Sequence, residues 1–361
     1  MSYRKVQKTS KGTFLISLPK DWASAYGLEK EDALLVTEQK DGSLAIHPPR
    51  KKAKEISAKL KYVPYISRYV TWCYLMGVDS LEVVGDGPLS KGQRDEVREA
   101  AEKLAGFEVL DERDDGITLG TLLEAGPGSA EKYIRKELYV TTGMEREALA
   151  AFFTGNAEAA KAVEERDDEV DRLYFLLVRL SRGTIANTYI SERLGLDPMT
   201  ALDIREASEI LENLADYAVK ISRMVDQKRS VTLPYEVREK TSRFIDELIS
   251  VQERALDSVI EHAFSSVPTL LDKKPGLFEL LEFPINQQKC DLVALLDLKG
   301  VLSQMLERSY DLVDLVAPST AKGESGELIF YRHVMTPQTL PTQGAAQHSP
   351  LRRLLSHDAD R

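Results

Sequence analysis

Val163-Glu164-Glu165-Arg166-Asp167-Asp168-Glu169-Val170-Asp171-Arg172-Leu173-Tyr174-Phe175-Leu176-Leu177 is the stretch that decides the fold of this chain. At about 100° per residue, Glu164, Asp168 and Asp171 fall on one helical stripe about 60° wide. Val163, Val170, Leu173 and Leu177 form a second stripe well around the helix from it. An apolar stripe set apart from a charged one is the pattern of a packed amphipathic helix. The arrangement returns downstream, where Glu209, Glu212 and Asp216 share a narrow face opposite Leu211, Leu214, Ala218, Ile221 and Val225.

Outward from this stretch, helical periodicity runs from Ser129 to about Val316. The spacing predicts helices over 130–154, 157–181, 199–226, 235–263 and 286–316, with a broken piece at 266–282. Long helices joined by short connections imply an all-α bundle. Residues 62–124 read as a small α/β unit. A helix ends at Gly77, Ser80–Val84 is strand-like, Ser90 caps a helix running to Leu104, and strands lie near 107–110 and 117–122. Its Gly85-Asp86-Gly87-Pro88 is turn chemistry, without the downstream glycine and lysine of a phosphate-cradling loop.

The first fifty residues differ in kind. Thr13–Leu18 reads as a strand ended by Pro19, and Lys20–Tyr26 as a short helix closed by Gly27. Leu34–Thr37 and Ser43–Ile46 read as a hairpin turned at Asp41-Gly42. Pro48-Pro49-Arg50-Lys51-Lys52 is a stiff, basic linker, and the Ser/Thr/Pro/Gln/Gly-rich residues from 318 are expected to be a disordered tail. The expected organisation is multi-domain: 1–50, 51–126, 127–317 and a tail over 318–361.

Charge follows this organisation. Up to Lys61 there are 13 Lys/Arg against 7 Asp/Glu; the remainder has 35 against 51, within a net charge of −10. A basic end on an acidic body points to a surface for a polyanion. The apolar patch Val70–Val78 is too short to span a bilayer, and the leading residues lack a signal peptide's apolar stretch, so a cytoplasmic chain without membrane insertion is expected. Cys73 and Cys290 have no CxxC partner and read as buried free thiols. The five histidines are scattered and no nucleophile–base arrangement occurs, which argues against an enzyme.

Three or four short strands in fifty residues bury too little to fold alone, so a second copy is the expected partner. Arg4-Lys5-Val6, Lys11-Gly12-Thr13, Leu18-Pro19-Lys20, Tyr26-Gly27-Leu28 through Asp32 and Asp41-Gly42-Ser43 through Pro48, in that order, resemble the swapped-hairpin DNA-binding domain of the AbrB/MazE/SpoVT type. The resemblance implies a homodimeric β domain that lays basic side chains along double-stranded DNA. Carried over, the DNA-contact candidates are Arg4, Lys5, Lys8, Lys11 and Lys20. The helix Lys20–Tyr26 lacks the arginines that many members place there.

The two carboxylate stripes could chelate a hard or borderline cation, or remain two solvated acidic faces. Glu165-Arg166-Asp167-Asp168-Glu169-Val170-Asp171 resembles the Glu-Arg-Asp-Asp-Glu-Ile-Asp signature of PhoU domains. Leu202–Arg205 with Ile210–Ala218 is similar to their second conserved helix, over roughly 130–316. The resemblance implies two three-helix repeats that restrain phosphate uptake and signalling, some with iron or other metal on acidic faces. The candidate metal ligands are Glu164, Glu165, Asp168, Asp171, Glu212 and Asp216, for Fe, Mg, Mn or Zn. Leu306–Asp311 echoes Leu211–Asp216, but Leu271-Asp272-Lys273-Lys274-Pro275-Gly276 stands where the second acidic signature belongs, so at most one complete metal face is expected. Tyr217 replaces the usual His. The combination resembles an archaeal class of phosphate uptake regulators. It implies a DNA-binding transcriptional regulator of phosphate homeostasis or, alternatively, an adaptor that restrains a phosphate transporter or signalling protein without binding DNA.

Overall fold

The computed structural model describes residues 3–38, 42–48, 55–226, 234–282 and 292–316. At the N-terminal end, β1 (Gln7–Lys8) pairs antiparallel with β2 (Phe14–Leu15), α1 spans Lys20–Ala25, and β3 (Leu35–Glu38) pairs antiparallel with β4 (Leu44–His47). The strand expected over Thr13–Leu18 shrinks to two residues, because β1 offers only Gln7 and Lys8 to pair with it. Gly27 takes φ +57°, the left-handed stop expected after α1. Asp41 and the linker from Pro49 lie outside the described residues, as do Cys290 and the tail.

The α/β unit contains β5 (Ser57–Lys61), α2 (Ile66–Leu75), β6 (Ser80–Val84), α3 (Lys91–Glu102), β7 (Phe107–Arg113) and β8 (Gly116–Thr121). Sheet order is β5-β6-β8-β7, with β5 and β6 parallel through the α2 crossover and the remaining pairs antiparallel. The strand β5 was not expected; Ser57-Ala58-Lys59-Leu60-Lys61 alternates, but follows directly on a lysine-rich run. Ser90 caps α3 as expected, in a reciprocal capping box with Gln93. Ile66, Val70 and Tyr74 of α2 pack with Leu81, Val83, Ile117 and Leu119 in a closed core.

The bundle runs through α4 (Ser129–Thr154), α5 (Ala157–Ala186), α6 (Thr188–Leu194), α7 (Pro198–Asp226), α8 (Tyr235–Glu261), the short α9 (Val267–Leu271) and α10 (Lys274–Leu280), and α11 (Leu292–Asp314). The helices α4, α5 and α7 pack most extensively on one another, and α8 and α11 complete a continuous core. The expected end of α5 at 181 was too early. Gly183 does not stop the helix; a Cβ there would come within 3.3 Å of Ile190, so the glycine lets α6 pack closely. The helical break expected near Lys273–Pro275 occurs, with Pro275 in the first turn of α10, where its missing N–H costs little.

Arg179 of α5 joins bundle and sheet. Its Nη1 donates to the carbonyls of Tyr74 (2.6 Å) and Val78 (3.0 Å), and its Nη2 to Asp79 Oδ1 (3.0 Å) and Thr121 Oγ1 (3.2 Å). The guanidinium also lies 4.8 Å from the Tyr74 ring centroid. Among the described residues, no helix is long and apolar enough to cross a membrane.

Candidate functional site

The acidic stripes of α5 and α7 face each other across a shared trough. At one end Arg223 of α7 pairs with Glu164 (3.2 Å); at the other Arg205 pairs with Glu209 (2.9 Å). Between these capped ends lie Asp167, Asp168 and Asp171 from α5 and Glu212 and Asp216 from α7, and no described Lys or Arg forms an ion pair with any of them. Burial comes first among the causes that push Asp167 up to about 6 and Glu212 up to about 7, and the neighbouring carboxylates add to it. Asp171 is raised for the same reasons, and Lys103 at the end of α3 pulls it partly back.

Beneath the trough lies Glu137 of α4, fully buried. Its Oε2 accepts a hydrogen bond from Ser208 Oγ (2.7 Å), while Oε1 has no partner among the described residues. Burial drives its carboxyl well above the ordinary range, and Glu212 and Asp171 push the same way. Sequence reasoning missed Glu137, although the signal was there. Ile134, Glu137, Thr141, Glu145 and Ala148 recur at core spacing along α4, which puts acids where an amphipathic helix should present apolar groups.

Of the six expected metal ligands, Asp168, Asp171, Glu212 and Asp216 come together, joined by the unexpected Asp167 and Glu137. Glu164 sits at the rim under Arg223, and Glu165 points to solvent with Lys161 (3.5 Å). The donor set is all oxygen, the chemistry of a hard cation, and with Tyr217 in place of a nitrogen ligand, zinc is the least suited of the expected metals. As the side chains stand, no three Asp, Glu, His or Cys among the described residues converge closely enough to enclose an ion. The trough is an open row of acids backed by one orphaned buried oxygen.

Between α10 and α11 the protein supplies its own cation. Lys274 Nζ pairs with Glu307 (2.8 Å) and lies 4.8 Å from the Tyr310 ring centroid, while Arg308 pairs with Asp311 (2.9 Å). These acids echo Glu212 and Asp216, but each is already neutralised.

At the N-terminal end, Arg4, Lys5, Lys8, Lys11 and Lys20 are all exposed and none makes an ion pair among the described residues; Lys8 lies over the Phe14 ring at 5.3 Å. No described residue between 3 and 48 is buried, and Phe14, Ile16, Val36 and Leu44 are each more than half exposed. Cys73 is a half-buried free thiol whose pKa burial raises, an unreactive setting. No curated protein matches this chain. Residues 134–225, from the second turn of α4 to the end of α7, match the family described as the PhoU domain, and the trough lies wholly inside that segment.

Proposed function

We propose that this protein is a regulator of phosphate homeostasis that binds double-stranded DNA as a homodimer through residues 3–48 and responds to cation occupancy of the α5–α7 trough. The observation that carries the DNA reading is the N-terminal segment itself: its described residues are none of them buried within one copy, it exposes apolar side chains and it presents five exposed cations. Interleaving with a second copy would cover the apolar edges and set ten cations on one surface. Cations that neutralise phosphates release counterions, so affinity should fall steeply with salt.

The PhoU-domain match supports the phosphate role, and the trough supports the sensing role. A divalent cation there would be held by Asp167, Asp171, Glu212 and Asp216, with Glu137 within reach of the same field. It would supply charge neutralisation, not chemistry. Binding must displace protons from the groups held near 6 and 7, so cation affinity should rise with pH up to about 7 and then level.

DNA retention of the full chain, measured from about 50 to 200 mM salt, tests the reading; a loss of about a hundredfold or more is expected. Replacing Arg4 and Lys5 by Ala should weaken binding to every sequence. No retention at low salt would sink the DNA-binding part. The second reading, an adaptor docking on a phosphate transporter or signalling protein, is favoured by a family match that covers α4 to α7 of the helical body and none of residues 3–48. Metal analysis of the protein beside an Asp171→Asn, Glu212→Gln variant tests the trough separately. Equal, near-zero metal in both would leave it a plain acidic face.

A further inference from the structure

A cleft of about 320 Å³ opens where α5 and α6 of the bundle meet the end of the sheet. Small-molecule sites span about 300–1,000 Å³, so its size suits a small ligand. Both units supply its apolar walls, Leu110 and Leu123 from the sheet side and Leu176 and Leu180 from α5. Arg179 and Asp79 also line it, but both are committed. The guanidinium meets the four oxygens that join bundle and sheet, and Asp79 gives Oδ1 to Arg179 and Oδ2 to the Ile56 N–H (3.0 Å). Two further wall charges are uncommitted: Glu55, just before β5, and Arg193, in the last turn of α6. Both are exposed, and neither has an ion pair among the described residues, with each other or with any other group. The Ile56–Asp79 bond fixes the backbone beside Glu55, and the close approach of Ile190 to Gly183 seats α6 on α5. Thr121 Oγ1 accepts from Arg179 and keeps its own hydrogen to donate.

We infer that the cleft binds a free α-amino acid with an aliphatic side chain, its carboxylate met by Arg193 and Thr121 and its ammonium by Glu55. The chemistry of the walls selects this class. One uncommitted cation and one uncommitted anion around an apolar cavity call for a ligand carrying both charges on an apolar body. Guanidinium–carboxylate and ammonium–carboxylate contacts are charge-assisted hydrogen bonds, the stronger kind. A phosphate or other multiply charged anion is a poorer occupant, because Glu55 and Asp79 repel it and Arg179 is already filled. An uncharged apolar molecule is also poorer, because it would strip water from Glu55 and Arg193 without pairing either. The ligand would touch the sheet side and α5 and α6 at once, so it would stabilise the junction of the two units. The cleft shares no residue with the trough or the N-terminal cations, so its test is separate from theirs.

Calorimetric titration of the full chain with leucine tests the proposal, beside glycine, isocaproate and isopentylamine, which lack the aliphatic side chain, the ammonium and the carboxylate in turn. Leucine is expected to bind in the micromolar-to-millimolar range, and each partial probe at least about tenfold more weakly. Arg193→Ala and Glu55→Gln should each weaken leucine about tenfold, the loss of one charge-assisted contact. Both side chains are exposed, and an unchanged melting temperature without ligand checks that neither substitution disturbs the fold. Absence of leucine binding up to about 10 mM, leucine affinity unchanged in either variant, or isocaproate binding as tightly as leucine would each overturn it.

Discussion

Glu145 gives the sharpest quantitative test of how this bundle is built. It lies two turns beyond Glu137 on the buried face of α4 and is fully inaccessible. Gln252 Nε2 of α8 donates to its Oε1 (2.9 Å) and to Ser309 Oγ of α11 (3.0 Å). That leaves two acceptors, Glu145 Oε2 and Gln252 Oε1, without a hydrogen. A proton on the carboxyl removes the charge that burial disfavours and makes one of its oxygens a donor. Burial pushes this carboxyl up to about 8, and the Gln252 bond and the Arg146 charge offset it only in part.

The linkage sign follows directly. Below the ordinary value of 4.5 the group is protonated in both folded and unfolded chains and contributes no pH dependence. As pH rises above that value the unfolded chain releases the proton while the folded chain keeps it, so stability falls, and it levels above about 8. At about 1.4 kcal/mol per pH unit, the loss is about 3 kcal/mol by neutral pH and about 5 kcal/mol at the plateau. Glu145→Gln keeps the shape and places an N–H where the acid held its proton. The variant should therefore match the parent near pH 4 and exceed it by about 3 kcal/mol near pH 7. Urea unfolding followed by far-UV circular dichroism between these pH values measures the difference. Subtracting parent from variant removes the parallel titration of Asp167, Glu212 and Glu137. Curves that stay parallel across the range would refute a buried, protonated Glu145.

Two further changes probe other parts of the molecule. Arg179→Ala should strip four hydrogen bonds from the sheet end, costing about 3 kcal/mol, and split calorimetric melting into separate transitions; one unchanged transition would mean that Arg179 is not what joins the two units. Lys274→Ala should cost only about 1 kcal/mol, since the pair is partly solvated, but should free Glu307, so that added Mn raises the melting temperature of the variant more than that of the parent; equal Mn effects would show that the lysine is not standing in for a cation.

The long helices were legible because their apolar residues recur at helical period over 26 to 30 residues, as in α4 and α5. The trough was half legible. Asp168, Asp171, Glu212 and Asp216 announce themselves by spacing on one face, whereas Asp167, on the same side of α5, is drawn in by the approach of α7, which spacing on one helix does not encode. Glu137 and Glu145 were hidden because a single acid in an apolar stripe looks like a surface residue until the stripe's phase is followed. Arg179 was hidden in the same way, inside the apolar run Leu173–Leu180. The short β5 and α6 carry too few residues for period to decide, and each owes its form to a neighbour: β5 to its parallel pairing with β6, α6 to the close approach at Gly183.

The trough and the α/β unit are linked by one rigid element and one charge. Asp171 and Arg179 lie on the same unbroken helix about 12 Å apart, so a tilt of α5 at the trough moves the guanidinium that holds Tyr74, Val78, Asp79 and Thr121. Lys103, at the end of α3, is the cation that stabilises the charged form of Asp171 from the other unit. Any proton or cation that neutralises the trough must remove that attraction, and by reciprocity any movement that withdraws Lys103 must raise the trough's affinity for protons and cations by the same factor. The attraction between Lys103 and the charged Asp171 gives this linkage its sign: neutralising the trough weakens it. The trough thus meets the α/β unit through one charge, Lys103, and along the length of α5.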